Sequence, residues 1–174
     1  MADYEFNTAE DQPIGRDLLM LFLNTGTKDA PVWSPIGKRV EDSSMDLDWQ
    51  RESKKDIFGN TFNTMKKPIK SQGFEPWELA NGDVAQKKIW FLAFVEENAQ
   101  ALCSQDTLLV HGYAGTKNTA VFAERNDACS IEVTGLGGAG GGNVGMPITV
   151  TFGGNRTTGT AALVDGVVTF NAAA

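Results

Sequence analysis

TLLVHGY at 107–113, TAVFA at 119–123, ACSIEVT at 128–134, PITVTF at 147–152 and VDGVVTF at 164–170 are spread through the C-terminal half of the chain. Each run is short, rich in β-branched and aromatic residues, and set off from the next by Gly, Asn or Asp. Strands of this length joined by such turns pair with their neighbours in sequence, which is the pattern of antiparallel sheet. The expected fold class is mainly β: an antiparallel β-sandwich or barrel with one α-helix and long loops.

Upstream of these runs, RDLLMLFLN from Arg16 to Asn24 is an apolar stretch closed by Thr25-Gly26, read as a buried first strand. Pro31, Pro35 and Gly37 break the next stretch into a short packed segment and turn around Val32, Trp33 and Ile36. SMDLDWQ from Ser44 to Gln50 alternates, with Met45, Leu47 and Trp49 on one face and Asp46, Asp48 and Gln50 on the other. Residues 51–70 form a basic excursion carrying Arg51, Lys54, Lys55, Lys66, Lys67 and Lys70 around a Gly59-Asn60 turn, the pattern of a long projecting hairpin. It reads as a solvated loop, as a docking arm for an acidic surface, or as a contact for nucleic acid. VAQKKIWFLAFVEENAQALC, from Val84 to Cys103, reads as the one helix, with an apolar arc through Phe91, Leu92, Val95, Ala99 and Leu102. Its charge order opposes the helix dipole, and IWFLAFV alone could serve as a strand. The expected organisation is one domain over 1–174, with a flexible N-terminal arm at 1–15 and a glycine-rich loop at 135–145.

A chain of 174 residues is long enough to bury a core without disulfide or metal staples. Its formal charge of -7 disfavours a broad basic face that grips phosphate backbones. The longest apolar run, Ile89–Val95, is far below the roughly 20 residues that span a bilayer, so no membrane insertion is expected. The acidic, polar start of the chain has no secretory pattern, which points to the cytoplasm or to release by lysis. Cys103 and Cys129 are expected as buried, reduced thiols, and with one histidine they do not make a structural zinc site.

No catalytic constellation stands out. His111 lies inside an apolar run, without a nucleophile elbow such as G-x-S-x-G, and reads as a strand-face histidine. GLGGAGGGNVG at 135–145 lacks the Lys-Ser/Thr ending of a phosphate-binding loop and leads into β-rich sequence instead of a helix. The pairs Asp46/Asp48 and Glu96/Glu97 read as solvated faces. Trp33, Trp49, Trp77 and Trp90 are scattered, as core or subunit-contact anchors would be. The chain is read as a non-enzyme with no cofactor and no metal site.

The order of segments carries further information: a polar arm, RDLLMLFLN, VWSPIG, VEDSS leading into the alternating strand, the basic excursion around DIFGNT, the helix-like segment, then CSIEVTGLGG and MPITVTFGGNRTTGT. This order resembles the major tail proteins of long-tailed phages infecting Gram-positive bacteria, over nearly the whole chain from Asn7 to Phe170. The resemblance implies a tail-tube subunit of the virion, assembled in the bacterial cytoplasm. Six copies would form a ring, and rings would stack around the tape measure protein. Tail terminator and baseplate proteins would join the ends, and DNA would later pass through the bore into the host. In that setting Asp46 and Asp48 are candidates for the lumen face, the alternative being an ordinary outer solvated face. Lys54, Lys55, Lys66, Lys67 and Lys70 are candidates for contacts to the adjacent ring. The other readings are a tube protein of a related contractile injection or secretion device, a monomeric carbohydrate-binding β-sandwich, and, least favoured, a small hydrolase using Cys103 or His111.

Overall fold

The computed structural model describes residues 4–173; residues 1–3 of the N-terminal arm and Ala174 lie outside the described residues. The described residues form eleven strands: β1 (Leu19–Asn24), β2 (Trp33–Ile36), β3 (Met45–Asp48), β4 (Glu52–Lys55), β5 (Thr61–Thr64), β6 (Ile69–Phe74), β7 (Gln105–Thr116), β8 (Ala120–Val133), β9 (Ile148–Thr151), β10 (Arg156–Val164) and β11 (Val167–Ala172). All strand pairs are antiparallel. The fold is mainly antiparallel β, as the sequence leads one to expect.

Two sheets share one long strand. The first has the order β2-β1-β7-β8-β10-β11, and it curls until its edge strands β2 and β11 approach within 8 Å. The second has the order β8-β9-β6-β3. The first half of β8 pairs with β7 and β10, and its end, Ser130–Val133, pairs with β9. The switch between sheets falls at a bulge: between the pairs Asn126–Arg156 and Ser130–Thr151, residues 127–129 face residues 152–155, one more on the β9–β10 side. Asp127 fixes this corner by accepting from the Asn155 backbone N–H at 2.7 Å and its amide at 3.1 Å. Gly154 sits there at φ +71, and a Cβ would lie 2.7 Å from the Ala128 Cβ and backbone N, so only glycine fits without strain.

The apolar runs follow from this layering. Phe22, Trp33, Leu108, Val110, Val121, Ala123, Ala161 and Val168 fill the inside of the curled sheet. Leu21, Leu23 and Leu109 point the opposite way, into a second core with Phe74, Trp77, Ile89, Ile131, Ile148 and Val150. Strands β1 and β7 are thus covered on both faces, which is why their sequence is continuously apolar and does not alternate.

Several expectations are corrected. RDLLMLFLN is strand only from Leu19; Arg16–Leu18 form a single 3-10 turn. The segment around Trp33 is a strand, β2, in spite of Pro35, because β2 is an edge and an edge position tolerates the missing N–H. Runs 119–123 and 128–134 are one strand, since the polar residues between them are paired and need no turn. The single helix over 84–103 is broken: α1 (Val84–Trp90), a π-helical turn at Phe91–Val95, and α2 (Ala99–Leu102). Asp83 caps α1 through the Gln86 N–H, and Asn98 caps α2 through the Ala101 N–H, so each piece has its own start signal. Glu97, at φ +47, makes the break. Within the N-terminal arm, Asn7 N–H donates to the Tyr113 carbonyl, its amide donates to the Gly112 and Gly115 carbonyls, and Phe6 packs edge-on against Tyr113. The root of the glycine-rich loop is tied as well, by Gly137–Gly145 backbone bonds and by Met146 N–H to the Trp77 carbonyl. Cys129 is buried as expected, but Cys103 is exposed at the end of α2.

Candidate assembly surface

The four-stranded sheet β8-β9-β6-β3 presents one face to the second core and the other outward. Register decides which residues share the outward face. Across the strands, Asp46 stands beside Ser71, Ser71 beside Thr151 and Thr151 beside Ser130; the flanking rows are Asp48–Ile69 and Gly73–Thr149–Glu132. The face thus carries three carboxylates, four hydroxyls and Ile69, and no lysine or arginine. Asp46, Asp48 and Glu132 are exposed and the hydroxyl residues are half-buried. The expectation for Asp46 and Asp48 concerned two residues on an alternating strand; the structure sets them in a wider acidic, hydroxyl-lined surface. Glu132 escaped the sequence reading because its partners come from strands distant in the chain.

Among the described residues, both margins of this sheet are free. Strand β3 ends the order, and beyond Cys129 no described strand pairs with the second side of β8. On the margin of β3, Leu47 and Trp49 are exposed although they lie on the inward side of the alternation. On the margin of β8, an apolar groove lies between Ile131 and Val133 and the helical residues Ala93, Ala99 and Leu102.

The basic excursion leaves from one end of the same sheet. Strands β4 and β5 pair only with each other, and Lys66 N–H donates to the Trp49 carbonyl at the root. Every residue of both strands is exposed. Asp56 organises the tip by accepting from Phe58, Asn60 and the Asn60 amide; these backbone and amide donors hold its carboxyl below the usual range. Lys54 pairs with Glu52 at 3.1 Å, and Lys55, Lys66 and Lys67 are exposed. Lys70 does not belong with them. It lies in β6, and its Nζ donates to Glu124 Oε2 at 2.8 Å, so its charge is consumed inside the molecule. The feature missed in the sequence is the tip itself: Ile57 is 93% exposed and Phe58 83%. The signal was present in DIFGNT, since hairpin tips are ordinarily polar.

Glu124 is the electrostatic centre of the corner between sheets. It comes from β8 and accepts from Lys70 of β6, His111 of β7 and Arg156 of β10. Burial would raise its pKa, but the bonds from His111, Arg156 and Lys70 outweigh burial and hold the carboxyl well below the usual range. Both ring nitrogens of His111 are engaged, one with Glu124 and the other with the Tyr113 hydroxyl at 2.8 Å. A second network ties β1 to β7 and β8: Arg125 donates twice to Asp106, which also accepts from the Asn24 amide. Burial raises the pKa of the Cys129 thiol, which keeps it protonated and unreactive. Trp33 and Trp77 are core; Trp49 and Trp90 are partly exposed on different elements, Trp90 against Phe94. Among the described residues no cluster of metal-ligating side chains is present, and no helix is long and apolar enough to cross a membrane.

These features define a class: a mainly antiparallel β protein with one outward sheet face, two open margins and a projecting arm. Among solved structures, the chain is similar to the tube terminating cap of the anti-feeding prophage, with a TM-score of 0.51 at 14% identity over 92% of this chain and all of that one. It is also similar to a chain of the extended sheath–tube complex of an extracellular contractile injection system, with a TM-score of 0.48 at 11% identity over 85% of this chain and 92% of that one. No protein-family model and no curated protein matches the sequence.

Proposed function

We propose that the chain is a structural subunit of a phage tail tube, with no enzymatic role. Identical copies join the β3 margin of one to the β8 margin of the next, so that the outward sheet faces merge into the lining of a closed ring. Leu47 and Trp49 of one copy then fill the groove beside Ile131 and Val133 of its neighbour. The observation that carries this reading is the face itself: a sheet surface with carboxylates and hydroxyls, no cation, and an unpaired strand on each side. Such a lining repels phosphate and lets a polyanion slide, where lysines or arginines would hold it at every step.

In a hexamer, four strands per copy give a barrel of roughly 24 strands. With strands about 4.8 Å apart and tilted about 40°, its backbone diameter is about 50 Å, which leaves room for a duplex after the inward side chains are subtracted. Stacked rings would enclose the tape measure protein during assembly, meet terminator and baseplate proteins at the ends, and conduct the genome at ejection. The resemblance in segment order favours a long-tailed phage of Gram-positive hosts. A second reading, a tube or tube-end component of a contractile injection device, is supported by the likeness in fold to the terminating cap.

Negative-stain microscopy and light scattering of the purified chain test the proposal. Annuli with a wall set by the 50 Å barrel, alone or stacked, are the expected result. A chain that stays monomeric at high concentration and forms no annuli overturns it.

A further inference from the structure

Resting on the tube reading, we infer that the β4–β5 tip of one copy docks on the opposite end of the β8-β9-β6-β3 sheet of a second copy, against Leu136 and Val144 of the glycine-rich loop. Register places the two surfaces at opposite ends of one sheet. The hairpin leaves after Asp48 and returns at Ile69, the end that also holds Thr151 and Ser130. The other end holds Met45, Phe74, Ile148 and Val133, and therefore the turn before β3, the segment after β6 and the 135–146 loop.

The two ends match in character. Ile57 and Phe58 are apolar groups thrust into water, at odds with a tip that has nothing to meet. At the far end Leu136 and Val144 are also exposed, on a loop whose root is hydrogen-bonded through Gly137 and Gly145 and through Leu79 N–H to the Val144 carbonyl. The loop is thereby held as a surface, and its glycines leave the apolar pair unobstructed. Charge agrees. Residues 51–67 carry Arg51, Lys54, Lys55, Lys66 and Lys67 against Glu52 and Asp56. The far end carries Glu41, Asp42, Glu75 and Glu78 against Lys38 and Arg39. A basic arm with an apolar tip thus faces an acidic rim around an apolar patch. Because the two patches are different surfaces of one chain the contact is head-to-tail, and because they lie at opposite ends of the sheet that lines the bore it repeats along that direction without closing, which is stacking.

The test is a disulfide trap in the full chain. With Cys103→Ser to remove the exposed native thiol, Phe58→Cys and Val144→Cys are introduced together, and assemblies are oxidised and run without reductant. A ladder of covalent oligomers, absent from each single-cysteine variant, is the expected result. In parallel, Lys54→Glu with Lys55→Glu should cut mean stack length about tenfold or more while rings persist. Glu41→Lys with Glu75→Lys, added to it, should restore stacking. Circular dichroism melts check that each variant is folded. Stacks that form without a ladder, and that the second charge reversal fails to restore, overturn this docking and leave the tube reading intact. Absence of annuli from the unmodified chain overturns both.

Discussion

At Glu124, burial and hydrogen bonding pull in opposite directions, and hydrogen bonding prevails. A carboxylate whose folded pKa lies below its unfolded value stabilises the fold fully above the unfolded range, near pH 4.3, and loses that contribution as pH falls below it. Urea unfolding between about pH 6 and pH 3 should therefore show declining stability, and Glu124→Gln should reduce the slope. The same substitution removes the negative charge shared by Lys70, His111 and Arg156 and turns one of the two accepting oxygens into a donor, with an expected loss of about 3 kcal/mol at neutral pH, at the low end for a broken buried pair because Lys70 and Arg156 keep some solvent. Asp46 and Asp48 make a different prediction, since they are exposed and, in the proposed tube, would line the bore. Asp46→Lys with Asp48→Lys should leave the melting temperature nearly unchanged and slow DNA ejection from assembled particles; unchanged ejection kinetics would place this face elsewhere than in the lumen.

Among the elements, the β4–β5 hairpin pairs with no other described strand and both its strands are exposed throughout, so removing residues 52–64 should leave a folded subunit that still forms rings. Microscopy should then find annuli without tubes, and tubes of normal length would refute the arm's role. Gly154→Ala, at the opposite extreme, should destabilise the subunit by about 1–3 kcal/mol, because a left-handed φ and a close approach to Ala128 coincide there. Elements were legible in the sequence where their signal was local. The short β-rich runs and the alternation of Met45–Asp48 needed only near neighbours, and both became strands. The continuity of β8 through Glu124–Asp127 was hidden, since what makes those polar residues fit a strand is Lys70, His111, Arg156 and Asn155 from elsewhere. Strand β10, RTTGTAALV, is too small and polar to announce itself, yet the Asp165-Gly166 turn behind it, with both residues at positive φ, is a strong hairpin signal inside a run read as one strand. The helix was misjudged because Asn98 is as good a cap as Asp83 and the apolar arc runs through both pieces. Of the candidate surface, Asp46 and Asp48 were visible; Glu132 and the hydroxyls on β6, β8 and β9 required the register.

For the whole molecule, two kinds of contact with different physics follow from the surfaces described. In the proposed tube, joining β3 to β8 would use backbone hydrogen bonds and apolar filling, whereas stacking by the arm would rely on opposite charges around a small apolar tip. Ionic strength separates them, because exposed charges are screened within about 8–10 Å at physiological salt and within about 3 Å at 1 M. Raising salt should dissolve stacks into rings before rings into subunits, as sedimentation or light scattering would record; simultaneous loss of both would contradict the division. Leu47→Pro on the β3 margin should do the reverse, blocking ring closure by removing a donor and a filling side chain while the inward cores stay intact.

The hairpin and the glycine-rich loop, set at opposite ends of one sheet, have a consequence for growth. A filament made of such units is vectorial: one terminus displays greasy, cationic fingers and the other a row of anionic sockets. Elongation at the two termini would then proceed at unequal rates. Whatever plugs the leading terminus must be chemically the complement of whatever seals the trailing one, so no single lid could serve both.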